Sequence, residues 1–224
     1  MKPRVLSTKR LRPAQRNYLL NAGFAVVEAD FIKICRLEPE LDDIGESLIF
    51  TSGNAVRSVL EHPNRELLKA KDCFCVGEKT RSLLQANGFQ VTASADSAAE
   101  LIPRIKVFGD RKYTFFSGNL RLDTLPVSLK LAGIKFNEVR CYVTKSSPAQ
   151  IPGTFDAILF FSPSGVASYL LHNQVGPAVC ICIGTTTAKS LRDTGATIIT
   201  ANRPSIEHVI ISCIKHFKPV NSAN

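Results

Sequence analysis

The sequence predicts an α/β protein in which two similar units each carry a parallel sheet with helices on both faces. Three observations predict it. The chain matches itself at an offset of about 110 positions, the mark of an internal repeat. Ser7 aligns with Ser117, Leu19 with Leu129, Gly23 with Gly133, Glu28 with Glu138, Ser52 with Ser162, Val56 with Val166 and Ser58 with Ser168. At a slightly shorter offset Cys73, Cys75, Gly77 and Thr80 align with Cys180, Cys182, Gly184 and Thr187. Short runs of Val, Ile, Leu and Phe alternate with stretches of helical periodicity, as in strands buried on both faces and joined by crossover helices. The turns between each strand and the next helix are rich in Ser, Thr, Gly and Asn.

Taken in order, a strand is expected over residues 4–6, then a helix over 13–22 stopped by Gly23, and a second strand over 25–29. Residues 33–40 read as a candidate linker. A strand over 48–50 leads into a helix over 54–60, and a strand over 73–76 into a helix over 79–87. Gly88 ends that helix before a strand over 89–93, and a helix over 98–106 closes the first copy. The second copy repeats the order: strand 113–116, helix 124–132 with Gly133 as its stop, and strand 136–143. A second candidate linker spans 143–150. Strand 157–161 then enters helix 166–171, strand 178–183 enters helix 186–194, and after Gly195 come strand 197–201 and helix 206–217. About five strands per half is the size of a flavodoxin-like domain. The two linkers fall at equivalent points after the first unit of each half. Either the domains are two contiguous halves, or they are cut out of phase with the repeat, one of them discontinuous.

With 224 residues, 45% hydrophobic and 21% charged, the chain suits a globular protein with one or two cores. No apolar run approaches the roughly 20 residues of a membrane span, and the N-terminus has no signal-peptide core, so no membrane partner and a cytoplasmic location are expected. The seven cysteines sit within apolar runs, as buried, reduced thiols would. A net charge of +9 suits an anionic partner or a solvated basic surface. Lys and Arg are scattered in ones and twos, as at Lys9 and Arg10, Lys69 and Lys71, or Arg111 and Lys112, without the basic helix or aromatic-interleaved strand of a nucleic-acid reader. A carboxylate- or phosphate-rich small molecule fits the same charge, nucleic acid is not expected, and little exposed apolar patterning makes a monomer the default.

In a parallel sheet a ligand lies beyond the carboxyl ends of the strands, where helix N-termini favour anions. Six turns stand there. They carry Lys9 and Arg10; Thr51 and Ser52; Gly77; Ser117, Asn119 and Arg121; Ser162 and Ser164; and Thr186 and Thr187. Hydroxyls and glycines let backbone amides approach a carboxylate, and the basic side chains add charge. The same residue types are also plain helix caps. Other chemistry is not indicated. Glycine-rich nucleotide loops of either common form are missing. Cys73 with Cys75, and Cys180 with Cys182, are spaced to share one face of a strand, with no histidine cluster nearby, so no metal is expected. His62, His172, His208 and His216 lie in or near helix ends. Ser162 is not in a nucleophile elbow and has no evident His and Asp partners. A chain without triad, dyad or metal centre suits an enzyme that acts by holding a reactive substrate, or a non-catalytic binding protein for an anionic metabolite.

At these turns the sequence resembles the uroporphyrinogen-III synthase family, through residues 49–56, 75–80, 116–121 with Leu125 and Pro126, 139–144, 160–166 and 183–188. The stretches span nearly the whole chain in the family's order. The resemblance implies two flavodoxin-like domains joined by a two-stranded linker, with a discontinuous domain of residues 1–34 and 149–224 and a continuous one of 35–148. It implies that hydroxymethylbilane, a linear tetrapyrrole with eight carboxylates, is cyclised with inversion of ring D and loss of water, without cofactor or metal. Tyr142 matches the family's candidate for a part in the chemistry, and the turns above match its substrate-binding loops. Two positions depart from the family's pattern: Thr185 stands where proline is common, and Lys9 where arginine is common, which removes a bidentate grip.

Overall fold

The structure, a computed structural model, describes residues 2–218. The chain begins with β1 (Arg4–Ser7), α1 (Pro13–Asn21) and β2 (Ala25–Glu28), and leaves them through β3 (Ile32–Arg36). It continues with β4 (Ser47–Phe50), α2 (Gly53–Leu60), α3 (Arg65–Lys69), β5 (Asp72–Val76), α4 (Glu78–Ala86), β6 (Val91–Ala95), α5 (Ala98–Lys106), β7 (Tyr113–Gly118), α6 (Thr124–Leu131) and the long β8 (Phe136–Ser146). It ends with β9 (Ala157–Phe160), α7 (Pro163–Leu170), β10 (Val179–Cys182), α8 (Thr185–Lys189), β11 (Ile198–Thr200) and α9 (Ile206–Phe217). Two compact units result, one of Met1–Lys33 with Lys145–Asn224 and one of Ile34–Thr144.

The sheets have matching orders. One runs β11-β10-β9-β1-β2 and the other β3-β8-β7-β4-β5-β6. When β1 is replaced by its repeat equivalent β7, β2 by β8, β9 by β4, β10 by β5 and β11 by β6, the first order becomes the second read from its other end, with β3 as the addition. Each sheet therefore draws strands from both copies of the repeat. Apart from β3 beside β8, neighbouring strands run parallel, including Ser7 beside Glu28 and Phe50 beside Phe116, so every strand-to-helix turn of a unit emerges at one sheet edge.

Strand alternation divides each core into two layers. In the Ile34–Thr144 unit Leu48, Phe50, Cys73, Cys75 and Phe116 face Val56, Val59 and Leu84 from α2 and α4. Their neighbours Ile49, Phe74, Tyr113 and Phe115 face Leu101, Ile105, Leu125 and Leu129 from α5 and α6. The other unit repeats this with Leu6, Ile158, Phe160, Cys180 and Cys182 against Val166 and Tyr169 of α7, and Val5, Leu159 and Ile181 against Leu19, Val209 and Ile210 of α1 and α9. Each such side chain removed from water contributes about 1.5–3 kcal/mol. That outweighs the propensity of any single residue, so the two-residue period dictates which face each cysteine takes.

Several elements differ from the sequence reading. The first expected linker contains a strand, β3, because its backbone finds a partner. Leu37 N–H donates to Cys141 O at 3.0 Å and Ser147 N–H to Phe31 O at 2.9 Å, which runs the two segments antiparallel. That pairing carries β8 on to Ser146, past the expected end at residue 143. Helix α3, unforeseen, is a single turn with one buried residue, Leu68, too short for periodicity to register. The helix expected over 186–194 stops at Lys189 and resumes as a 3-10 turn, Arg192–Thr194. Fully buried Leu191 draws the chain inward there, and Leu191 N–H bonds Ala188 O three residues back. β6 lies two residues later than expected, at Val91–Ala95.

Candidate functional site

In the Ile34–Thr144 unit β4 lies between β7 and β5, so the turns carrying Ser117 to Arg121, Thr51 to Asn54 and Gly77 to Thr80 are neighbours. Ser52 is the N-cap of α2. Its Oγ accepts from Asn54 N–H at 3.1 Å and from the Tyr142 hydroxyl, also at 3.1 Å. With both lone pairs engaged, the Ser52 proton is left to donate outward. Thr51, half-buried, precedes it directly. Gly77 takes a φ of 88°, a conformation suited to glycine, and caps α4. Its N–H is already committed to Ala95 O at 2.8 Å. A pocket of about 630 Å³ opens beside Ser52, Asn54, Arg57, Lys79 and Thr80. Arg57 has no carboxylate partner among the described residues and reaches only Asn54 Oδ1, at 3.4 Å.

Tyr142 is 9% exposed and packs with Phe50, Phe116 and Cys141. It reaches the edge of the sheet through a β-bulge. Ser117 pairs with Arg140 but Gly118 pairs with Tyr142, which leaves Cys141 as an extra residue on β8.

Ser117 and Arg121 meet a shared partner that the sequence reading missed. Ser117 Oγ donates to Glu138 Oε1 at 2.6 Å, while Arg121 grips both oxygens of Glu138, at 2.7 and 2.9 Å, and also pairs with Asp123. The Glu138 side chain is 27% exposed. Arg121, then Ser117, holds its carboxyl below the usual range, and Glu138 in return raises the Arg121 guanidinium. The guanidinium expected to meet substrate is thus engaged within its own unit. Glu138 aligns with Glu28 in the repeat, which was the available sign of it. Asn119 braces the backbone of β8: Thr144 N–H donates to its Oδ1 at 2.7 Å, and its Nδ2 to Thr144 O at 3.2 Å.

A depressed carboxyl contributes stability that is full above its unfolded pKa and lost as pH falls through the folded value. Glu138→Gln should therefore be less stable than wild type near neutrality. The gap in urea midpoint should shrink below about pH 4, where unfolded Glu protonates. A gap that persists through acid would contradict the assignment.

In the other unit β9 lies between β1 and β10, so its three turns are likewise neighbours. Ser162 caps α7, its Oγ accepting from Gly165 N–H at 3.0 Å and standing 3.1 Å from Ser164 Oγ. Thr186 is exposed in the first turn of α8 and Thr187 is 2% exposed beneath it. The first turn is occupied by its own acids. Arg10 N–H donates to Asp30 and Leu11 N–H to Glu28, each at 2.8 Å, and Arg10 Nε lies 3.7 Å from Asp30. Lys9 is half-buried and pairs with no carboxylate among the described residues. Buried Thr8 anchors the turn, donating from Oγ1 to Leu159 O at 2.8 Å.

The paired cysteines are core residues in both units. Burial raises Cys73 to about 12, Cys75 to about 11, and Cys180 and Cys182 to about 12, so they stay protonated and poor metal ligands. No group of three His, Cys, Asp or Glu converges among the described residues. His208 belongs to the start of α9, where its Nδ1 lies 2.8 Å from Ser205 Oγ. Among the described residues no helix is long and apolar enough to cross a membrane.

A model of the family described as uroporphyrinogen-III synthase HemD matches residues 14–211. Among solved structures, the chain is similar to uroporphyrinogen-III synthetase from Helicobacter pylori, at 23% identity and a TM-score of 0.76, over 96% of this chain and 100% of that one. It is similar also to a mutant uroporphyrinogen III synthase from Thermus thermophilus, at 16% identity and a TM-score of 0.64, over 96% of this chain and 98% of that one. At these identities the structural likenesses speak to the fold, and the family match carries the assignment.

Proposed function

The chain belongs to the uroporphyrinogen-III synthase family, enzymes of haem biosynthesis that act on hydroxymethylbilane, and from that premise we propose how its residues cyclise the bilane with inversion of ring D and loss of water. The observation that carries this reading is the Tyr142 to Ser52 hydrogen bond at the mouth of the turns, 3.1 Å long. Tyr142 donates to Ser52, and Ser52 donates its remaining proton to the departing hydroxyl of the bilane. The two hydroxyls form one donor chain aimed at the oxygen on which negative charge develops. Asn54 N–H, bonded to the same Oγ, fixes the serine in its cap position.

Each unit taken by itself offers donors suited to the bilane's carboxylates in its first-turn amides, those of α2 and α4 in the Ile34–Thr144 unit and those of α7 and α8 in the other, where no preceding helical carbonyl competes for them. Ser52, Gly77, Thr51 and Asn119 shape the first set, and Ser162, Ser164, Thr186 and Thr187 the second. Lys9, unpaired within the described residues, and Arg57 supply charge. Arg10, Ser117 and Arg121 shape their turns through Asp30 and Glu138 and act on substrate indirectly. The protein's contribution is mostly geometric, because the bilane also closes unaided, to the uninverted isomer. The same reading takes the chain as a cytoplasmic monomer that uses neither nucleic acid nor a metal. Domain boundaries near residues 34 and 148 belong to it as well.

The test supplies freshly prepared hydroxymethylbilane, oxidises the product and resolves the porphyrin isomers. The expected product is the type III isomer, with chelator making no difference. Type I alone at saturating protein would overturn the proposal.

A further inference from the structure

The position of Tyr142 depends on two backbone features that carry no reactive group. The first is the bulge at Cys141. Successive residues of a strand face opposite sides of the sheet, yet Cys141 and Tyr142 both lie in the layer with Phe50 and Phe116. The extra residue re-aims Tyr142 to the side on which Ser52 caps α2. The second feature is Gly118, its cross-strand partner. A Cβ on Gly118 would stand 2.3 Å from Tyr142 Cζ, 2.4 Å from Cε2 and 2.8 Å from the hydroxyl oxygen. These are its three nearest atoms, and all belong to the tyrosine. The φ of Gly118 is not in the left-handed region, so backbone conformation would admit alanine. What excludes a side chain is the hydroxyl end of the Tyr142 ring, which occupies the space a Cβ would take.

We propose that Gly118 is a positioning residue: its missing side chain lets the Tyr142 ring seat against β7, and that seat sets the reach of the hydroxyl to Ser52. The inference rests on the role given to Tyr142 in the proposed function. Any side chain at 118 meets the ring end that carries the hydroxyl, and Tyr142 is packed in the buried cluster with Phe50 and Phe116, so it is the hydroxyl end that must shift. A displacement of about 1 Å at a reacting group can lower a rate about 10²-fold, while substrate binding through backbone amides elsewhere is untouched.

The test is Gly118→Ala, made alone and in a Tyr142→Phe background. The chain has four tyrosines and no tryptophan, so ring-labelled tyrosine gives few NMR signals, and Tyr142→Phe assigns one of them by its loss. In Gly118→Ala the Tyr142 signal should move while those of Tyr18, Tyr113 and Tyr169 stay. Its kcat should fall on the order of 10²-fold with KM nearly unchanged. In the Tyr142→Phe background the same substitution should lower kcat little further, although the Phe ring meets the same clash. An unmoved Tyr142 signal, or an equal fold-loss in both backgrounds, overturns the proposal. If Gly118→Ala does not fold, adding Tyr142→Ala should restore folding, since the three nearest obstructing atoms all belong to the tyrosine. Failure to restore it also overturns the proposal. Should Tyr142→Phe itself keep full turnover, the role of Tyr142 in the chemistry fails, and the NMR signal still judges Gly118.

Discussion

Tyr142→Phe is expected to lower turnover of hydroxymethylbilane by about 10²-fold or more, the usual worth of a positioned proton donor, and to leave the urea midpoint close to wild type. The substitution removes one hydroxyl and keeps the ring that packs with Phe50 and Phe116. Its cost in stability is about 1 kcal/mol, that of one hydrogen bond. The cost is limited because Ser52 Oγ retains Asn54 N–H, so no buried group is orphaned. Its cost in rate is larger because the lost donor is the far member of a two-hydroxyl chain. Ser52→Ala should produce a comparable fall in kcat and also weaken the start of α2, so its midpoint should drop where that of Tyr142→Phe does not. Steady-state assays scored for product isomer, beside urea titrations, separate the two effects. A large loss of stability at unchanged specific activity would contradict the assignment.

Much of the fold was legible because the repeat supplied each element twice. Ser52 and Ser162 look like caps separately, and their alignment identifies β4 with β9 before either is seen. The two-residue spacing of Cys73 and Cys75, and of Cys180 and Cys182, placed each pair on one strand face, and both pairs lie in the cores. What sequence reading missed depends on pairings far apart in the chain. β3 exists because β8 lies beside it, and nothing in residues 32–36 alternates strongly enough to announce it. Their burial is intermediate or exposed throughout.

The site was legible as a set of turns and less so as a set of partners. Arg121 and Arg10 stand in the expected turns, but their acids, Glu138 and Asp30, arrive on the next strand or just beyond it. Sequence reading counts a cation near a helix start as available, and only strand register reveals that a carboxylate has reached it first. The bulge at Cys141 is similarly silent, because one extra residue in a strand of eleven leaves no local mark. Arg57 was overlooked since it sits a full turn inside α2, away from the turn residues on which an anion-binding argument concentrates.

Gly45→Ala should be the most destabilising single methyl addition in the Ile34–Thr144 unit, and for a different reason from Gly118→Ala. A Cβ there would lie 2.3 Å from Lys112 O, 2.7 Å from Lys112 C and 3.0 Å from Tyr113 C, all backbone atoms. That backbone cannot yield cheaply. Lys112 O accepts from Ser47 N–H, and Tyr113 N–H is bonded to Lys135 O at 2.9 Å. Gly45 N–H donates to buried Thr114 Oγ1, which in turn donates to Asn137, so moving Gly45 away instead breaks a network that joins the starts of β4, β7 and β8. Overpacking alone costs about 1–3 kcal/mol, and a lost buried hydrogen bond adds about 1 kcal/mol. Together these are expected to lower Tm by roughly 4–16 °C for a protein of this size. The clash lies at the amino ends of the strands, and the turns that hold Ser52 and Tyr142 lie at the carboxyl ends. Folded Gly45→Ala at low temperature should therefore keep its kcat and its type III product while its melting curve shifts down. Loss of specific activity without a change in Tm would refute this separation of the stabilising edge of the sheet from the reactive one.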